Sequence, residues 1–295
     1  MKEIVVISGK GGTGKTSLTA SFAVLSKNAV IADCDVDAAD LHLVLSPEIR
    51  KREEFRCGRE AVIRGNDCTG CGKCLEACRF DAVINQNNSV FMIDSTSCEG
   101  CGVCVEICPA KAIDFPERVN GEWYISDTRC GPMVHACLQP GGENSGKLVS
   151  KVREAAREVA EKEKRDMVIV DGPPGTGCAV IASLTGASGV LIVTEPTLSG
   201  VHDLRRILQL TKHFEIDSSV CVNKWDLNPE ITEQIESEVS GQGVGFAGRV
   251  RYDNSITAAQ IRKMAVVELD ESPAGKDIRA VWEKLGYKQD KRFRL

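Results

Sequence analysis

Apolar residues along this chain follow two periodicities. Short unbroken runs occur at IVVIS (4–8), AVIAD (29–33), MVIVD (167–171), GVLIVTE (189–195) and SVCVNK (219–224). They are too short for helices and lack the alternation of a half-exposed strand, so they predict strands buried on both faces, as in a parallel sheet. Between them the spacing becomes helical. Residues 147–164, KLVSKVREAAREVAEKEK, put Leu148, Val152, Ala155 and Val159 on one face and charges opposite, with Ser145 placed to cap the N-terminus. The alternation predicts an α/β fold, a mostly parallel sheet with flanking crossover helices.

From about 57 to 118 the texture changes to short Gly- and Cys-rich turns with no long helix. DCTGCGKCLEACRFDAV (67–83) is echoed by SCEGCGVCVEICPAKAI (97–113), an internal repeat. A segment of ~60 residues is a common domain size. The expected division is therefore 1–56 and 119–295 for the α/β domain and 57–118 for an inserted α+β domain. The boundaries are soft at the linkers RKREEFRCGRE and PERVNGEW.

Composition narrows the function classes. The 295 residues are 42% hydrophobic, enough for a full α/β core and a small second module. A net charge of -5 and a pI near 5.6 exclude the basic surplus that nucleic-acid phosphates demand. No apolar run approaches the ~18–20 residues of a membrane span, and Met1-Lys2 leads into a strand rather than a signal peptide. The terminal KLGYKQDKRFRL is basic but too short and too polar for an amphipathic anchor. The expectation is a cytoplasmic protein without nucleic-acid partners or stable membrane insertion. That compartment keeps thiols reduced, so 14 cysteines need a role other than disulfides.

Eight cysteines occupy the two echoing runs, at Cys68, Cys71, Cys74, Cys78 and at Cys98, Cys101, Cys104, Cys108. C-x2-C-x2-C-x3-C, twice, resembles the bacterial two-cluster ferredoxins, in which three close thiolates wrap one [4Fe–4S] cubane and the fourth reaches to the other. That resemblance implies cluster one on Cys68, Cys71, Cys74 and Cys108, and cluster two on Cys98, Cys101, Cys104 and Cys78. Zinc is the alternative for soft thiolates, although zinc sites more often separate paired cysteines by long gaps. The second run closes on Cys108-Pro109 and the first on Cys78-Arg79, which places a cation near a cluster. Of the scattered cysteines, Cys34 and Cys221 read as small core residues. Cys57 has no assigned role. Cys130 and Cys137, which flank GPMVHA, are candidates for an added metal or for client docking, and His135 between them reads as structural.

Gly9–Lys10–Gly11–Gly12–Thr13–Gly14–Lys15–Thr16, followed by Ser17, fits G-x-x-x-x-G-K-[ST] between a strand and a helix. Glycines let successive N–H groups turn toward an anion, and the helix N-terminus adds its positive end. Lys15 is the candidate for the β/γ-phosphates and Thr16 for Mg²⁺. The spelling KGGTGK resembles the deviant Walker A of the MinD/ParA-type ATPases. That likeness extends through IADCDVDAADL, DGPPGTGCAVIASLTGA and VNKWD, and the whole chain resembles members carrying an inserted ferredoxin domain. The resemblance implies ATP/ADP and Mg²⁺ as ligands and a dimer, of identical or paralogous subunits, in which Lys10 reaches the partner's nucleotide. It further implies Asp35 orienting the attacking water, Asp33 and Asp171 near Mg²⁺, and Asn223 on the adenine. NKWD alone would suit guanine equally, and Asp37 and Asp40 read as solvated or capping. Cys178 follows DGPPGTG, near the point where nitrogenase-type iron proteins also carry a cysteine, and is a candidate for a redox or cluster role at the dimer interface.

Two function classes follow. In one, ATP turnover gates delivery of clusters or electrons to a metallocofactor or redox client. In the other, the clusters are structural or sensory and ATP-driven dimerisation positions a partner.

Overall fold

The computed structural model describes residues 1–86, 90–139, 142 and 145–286; positions 287–295 of the basic C-terminal stretch lie outside the described residues. From the N-terminus, β1 (Lys2–Ser8) is followed by α1 (Lys15–Ser26), β2 (Ala29–Asp33), a short α2 (Leu41–Leu45) and β3 (Glu48–Arg59). Then come β4 (Val62–Ile63), α3 (Lys73–Ala77), β5 (Val83–Asn85), β6 (Phe91–Ile93), α4 (Val103–Glu106) and β7 (Ile113–Asp114). Strands β8 (Glu117–Thr128) and β9 (Gly131–Leu138) precede α5 (Ser145–Lys162), β10 (Met167–Pro174), α6 (Cys178–Leu184) and β11 (Gly189–Thr194). The chain continues through α7 (Leu198–His213), β12 (Ser218–Asn223), α8 (Pro229–Gly241), β13 (Gly245–Val250), α9 (Ser255–Ile261) and α10 (Pro273–Lys284).

Two compact units result. One comprises Met1–Glu53, Trp123–Cys137 and the chain from Ser145; the other comprises Glu54–Glu122 with Leu138–Asn144. The second unit thus reaches beyond 57–118 on both sides.

A nine-stranded sheet runs β13-β12-β11-β1-β10-β2-β9-β8-β3. Strand β1 lies between β10 and β11 and is parallel to both. Its Ile4, Val5, Val6 and Ile7 are at most 1% exposed, which explains the unbroken apolar run: helices cover both faces of a parallel sheet. Burying each such side chain contributes ~1.5–3 kcal/mol. On one side Phe22 of α1 meets Trp282 of α10, ring centroids 5.0 Å apart.

The two supposed linkers are strands, β3 and β8. Their polarity hid them. Strand β3 closes the sheet as an edge, where solvent can take its charged side chains. Arg50 pairs with Asp127 and reaches Glu163 Oε1 at 2.8 Å. The Lys51 and Lys151 ammonium groups lie 5.2 and 5.4 Å from the centre of the Trp123 ring, at cation–π distance. Cross-strand charge and stem packing replace the apolar alternation that marks an ordinary strand.

Helix α5 begins at Ser145, which is its first residue rather than its cap. Its buried face is wider than expected. Val159 is only half-buried, whereas Arg153 is sealed in. Arg153 Nε donates to Glu3 Oε1 at 2.7 Å and its Nη1 donates to the carbonyls of Ala182 and Thr185 at 2.6 and 2.9 Å. Arg157 Nε holds the other Glu3 oxygen at 2.8 Å. One carboxylate therefore ties the start of β1 to α5 and, through Arg153, to the end of α6.

Removing one partner of a buried pair leaves an uncompensated charge, at a cost of ~3–5 kcal/mol. Glu3→Ala is expected to lower unfolding stability by about that amount in urea titrations. A loss under ~1 kcal/mol, the scale of exposed pairs, would show that solvent compensates Arg153.

Candidate functional site

The phosphate loop is wedged between two neighbours. Gly14, at φ 86°, leaves no room for a side chain, because a Cβ there would lie 2.3 Å from Asn223 Nδ2. A Cβ on Gly9 would lie 2.3 Å from Asp203 Cβ on α7. Asn223 Nδ2 donates to the Thr13 carbonyl at 2.7 Å, and its Oδ1 accepts from the Lys224 N–H at 3.0 Å. The residue expected on a base therefore clamps the loop from the end of β12. Asp226 Oδ1 accepts from the Tyr252 N–H at 2.7 Å. A cavity of ≈ 460 Å³ opens above the loop, lined also by Asp35, Pro174, Lys224, Tyr252 and Ile256. Small-molecule sites span ~300–1,000 Å³.

Parallel register builds the charge cluster beneath that cavity. Asp33 and Asp171 are partners across β2 and β10, so two carboxylates meet at the strand ends below the first turn of α1. Lys15 Nζ bridges Asp35 Oδ2 and Asp171 Oδ1, each at 3.2 Å. Thr16 Oγ1 donates to Asp171 Oδ2 at 2.8 Å and Thr19 Oγ1 to Asp171 Oδ1 at 3.0 Å. Asp33 Oδ1 accepts from the Asp35 N–H at 3.2 Å. Burial works against the Lys15 ammonium, but Asp171, Asp35 and Asp33 outweigh it and hold its pKa above the usual value. Burial and the neighbouring Asp171 push Asp33 well above the carboxylate range; burial also raises Asp35, against the pull of Lys15.

Two of the buried atoms left unpaired among the described residues lie at this site, Asp33 Oδ2 and Thr13 Oγ1. A carboxyl oxygen without a partner, on the residue opposite Asp171, suits a hard cation, which takes oxygen ligands and keeps much of its hydration. A spare hydroxyl in the loop suits a phosphate oxygen. The residues present thus fit Mg²⁺ and a polyphosphate.

Sequence reading missed a second charge group. Lys10 Nζ lies 3.1 Å from Glu195 Oε2 and donates to Ser199 Oγ at 3.5 Å. Lys224 takes the other Glu195 oxygen and donates to the Gly12 carbonyl at 3.2 Å. Burial opposes ionisation of Glu195, yet Lys224 and Lys10 hold its carboxyl below the usual range. The signal available in the sequence was only a glutamate ending an apolar run.

In the smaller unit the repeat becomes two cradles. Gly72 and Gly102, at φ 74° and 76°, turn the chain into α3 and α4 after matched cysteines. Cys68, Cys71, Cys74 and Cys108 line one cavity with Ile63, Phe91 and Ile113. Cys78, Cys98, Cys101 and Cys104 line the other with Ala61, Val83 and Ile93. Burial raises the Cys74 thiol, and Cys68 and Cys71 add to it; burial, Cys98 and Cys101 do the same to Cys104. No disulfide joins any of the cysteines among the described residues. Among the described residues no three His, Cys, Asp or Glu side chains close on a single metal ion. Each set of thiols surrounds a volume instead, a donor set that fits an iron–sulfur cubane better than one tetrahedral zinc.

The remaining candidates are dispersed. Cys34 and Cys221 are fully buried, and burial pushes the Cys221 thiol up to about 12. Cys178 and Cys137 are exposed and Cys130 is half-buried. His135 Nε2 lies 2.9 Å from Ser126 Oγ and its ring stacks on Tyr124. Burial, with a contribution from His42, holds its pKa down to about 4. Asp37 and Asp40 are exposed, and Asp40 precedes α2 without a capping hydrogen bond from its side chain. Among the described residues no helix is long and apolar enough to cross a membrane.

Residues 61–115 match the model of the 4Fe-4S dicluster domain family. The uncharacterized protein MJ0578 of Methanocaldococcus jannaschii is 37% identical over 230 residues, 77% of this chain and 79% of the relative. The cell division ATPase MinD of Pyrococcus furiosus aligns with TM-score 0.57 at 17% identity, over 97% of this chain and 98% of its own. The septum site-determining protein MinD of Pyrococcus horikoshii, solved with Mg-ADP, gives TM-score 0.58 at 16% identity, over 96% and 95%. Those structural likenesses are of fold; the sequence likeness to MJ0578 is of family. The chain belongs to the family of MJ0578, carries a 4Fe-4S dicluster domain over residues 61–115, and has the fold of the MinD ATPases.

Proposed function

We propose that this chain hydrolyses Mg-ATP, holds two [4Fe–4S] clusters, and uses ATP-driven pairing of two ATPase subunits to gate delivery of clusters or electrons to a metallocofactor or redox client. The observation that carries this reading is the union of two built sites in one chain. A phosphate cradle has an unpaired buried Asp33 oxygen, and two four-thiol cavities follow in sequence directly after the segment bearing Asp33 and Asp35.

In this reading Lys15 exchanges Asp35 and Asp171 for the β/γ-phosphates. That releases Asp35 to orient the attacking water and leaves Thr16, Asp33 and Asp171 around Mg²⁺. Catalysis then rests on positioning and charge neutralisation, as phosphoryl transfer requires. The KGGTGK spelling of the loop favours adenine over guanine beside Asn223. Lys10 leaves Glu195 to reach the nucleotide of an identical or paralogous partner. The Mg-ADP bound by the P. horikoshii relative supports the ligand. The MinD relatives of cell division support the alternative, in which the clusters are structural or sensory and pairing positions a partner.

Three measurements test this. Lys15→Ala is expected to abolish nucleotide binding, whereas Lys10→Ala retains binding and loses the ATP-induced dimer in light scattering; an unchanged dimer overturns the trans role of Lys10. Anaerobic protein should carry about eight iron atoms, the content of two cubanes, and Cys78→Ser should perturb the cluster of the later run. Tightly bound zinc without visible charge-transfer absorption excludes the clusters. If nucleotide and clusters are coupled, ATP affinity differs between oxidised, reduced and cluster-free protein by ~5–150-fold. Equal affinities in all three leave the positioning alternative.

A further inference from the structure

The repeat permits a comparison of the two cradles position by position, because each residue of the first run has its counterpart thirty places on. Lys73 lines the first cavity where Val103 lines the second, and Thr69 lines the first where Glu99 lines the second. The first cradle therefore carries one more positive charge from one pair, and the second one more negative charge from the other. Backbone hydrogen bonding differs in the same sense. The Ala112 N–H donates to Cys108 Sγ at 3.3 Å, while no such bond is seen between the matching Ala82 and Cys78 among the described residues.

Outside the walls, Asp67 stands where the later run has Ser97 and favours the second cradle, but Arg64 Nε pairs with it at 2.7 Å. Arg79 stands where the later run has Pro109 and favours the second cradle. Asp81 and Lys111 are matched as well, follow Cys78 and Cys108 respectively, and both favour the first.

We propose that the first cradle (Cys68, Cys71, Cys74, Cys108) holds its cluster at the higher reduction potential and the second (Cys98, Cys101, Cys104, Cys78) at the lower, so that electrons pass from second to first. Reduction adds one negative charge to a cluster. A nearby ammonium and an N–H donated to a ligand sulfur stabilise the reduced form, and a nearby carboxylate opposes it. One electron from a low-potential one-electron donor takes a [4Fe–4S] core from 2+ to 1+, with no bond made or broken and no proton moved. The two cradles compete for that electron. Lys73 and Glu99 are exposed, so water and salt moderate their influence. The expected preference is about tenfold in the one-electron equilibrium, ~59 mV.

This inference rests on the two-cluster reading, and the test separates the two. Iron analysis and spin quantitation of the anaerobic full-length protein come first; about four irons rather than about eight refutes the two-cluster reading itself. With two clusters present, EPR-monitored potentiometry with dithionite should resolve two waves. Lys73→Val should lower the upper wave alone, Glu99→Thr should raise the lower wave alone, and each should narrow the gap. A single potential for both clusters, a gap that neither substitution moves, or shifts falling on the opposite waves would overturn the assignment while leaving cluster content intact.

Discussion

Everything at the phosphate site depends on the register between β2 and β10. Placing Asp33 opposite Asp171 gathers two carboxylates where a single one would already be costly, since burial disfavours the ionised form of each. Lys15 offsets the cost from the first turn of α1, with Thr16 and Thr19 on Asp171. Three carboxylates, Asp33, Asp35 and Asp171, still face the one Lys15 ammonium, and Asp33 Oδ2 is left unpaired. A fold that leaves carboxylates under-neutralised is arranged for an incoming positive charge, and a nucleotide bringing Mg²⁺ supplies one.

The glycines of the loop serve the same arrangement from above. Gly9 and Gly14 matter through the space they leave to Asp203 and Asn223 as well as through backbone freedom. Loop, α7 and the end of β12 are locked together, so that Lys10 and Lys224 converge on one carboxylate, Glu195. Any second partner for Lys10 must compete with that contact.

Legibility of the structure in the sequence followed the range of the interactions involved. Strands β1, β2, β10, β11 and β12 announced themselves because burial on both faces leaves only apolar residues. The loop and the cysteine runs were readable because their chemistry needs fixed local spacing. Strand β3 was not, since an edge tolerates the charges of KREEFR that propensity assigns to a linker, and the polar start of β8 beside it, ERVNGE, hid that strand as well. Glu3, Glu195 and Arg153 were equally invisible: their partners lie far along the chain, and only the folded sheet brings those charges together. Asn223 was singled out as a base contact, but its hold on the Thr13 carbonyl was not foreseen, because a side-chain amide shows no preference for backbone over base until both are placed.

The charged character of β3 bears on how copies of this protein meet. A sheet edge offers a row of unpaired backbone donors and acceptors, and another chain can extend it by strand addition. Here the edge displays Arg50, Lys51, Arg52, Glu53 and Glu54 in succession, so an incoming strand would have to strip water from a dense band of ions. Growth through this edge is thereby disfavoured. The band of ions thus acts as a guard on this one of the sheet's two edges, the other being β13.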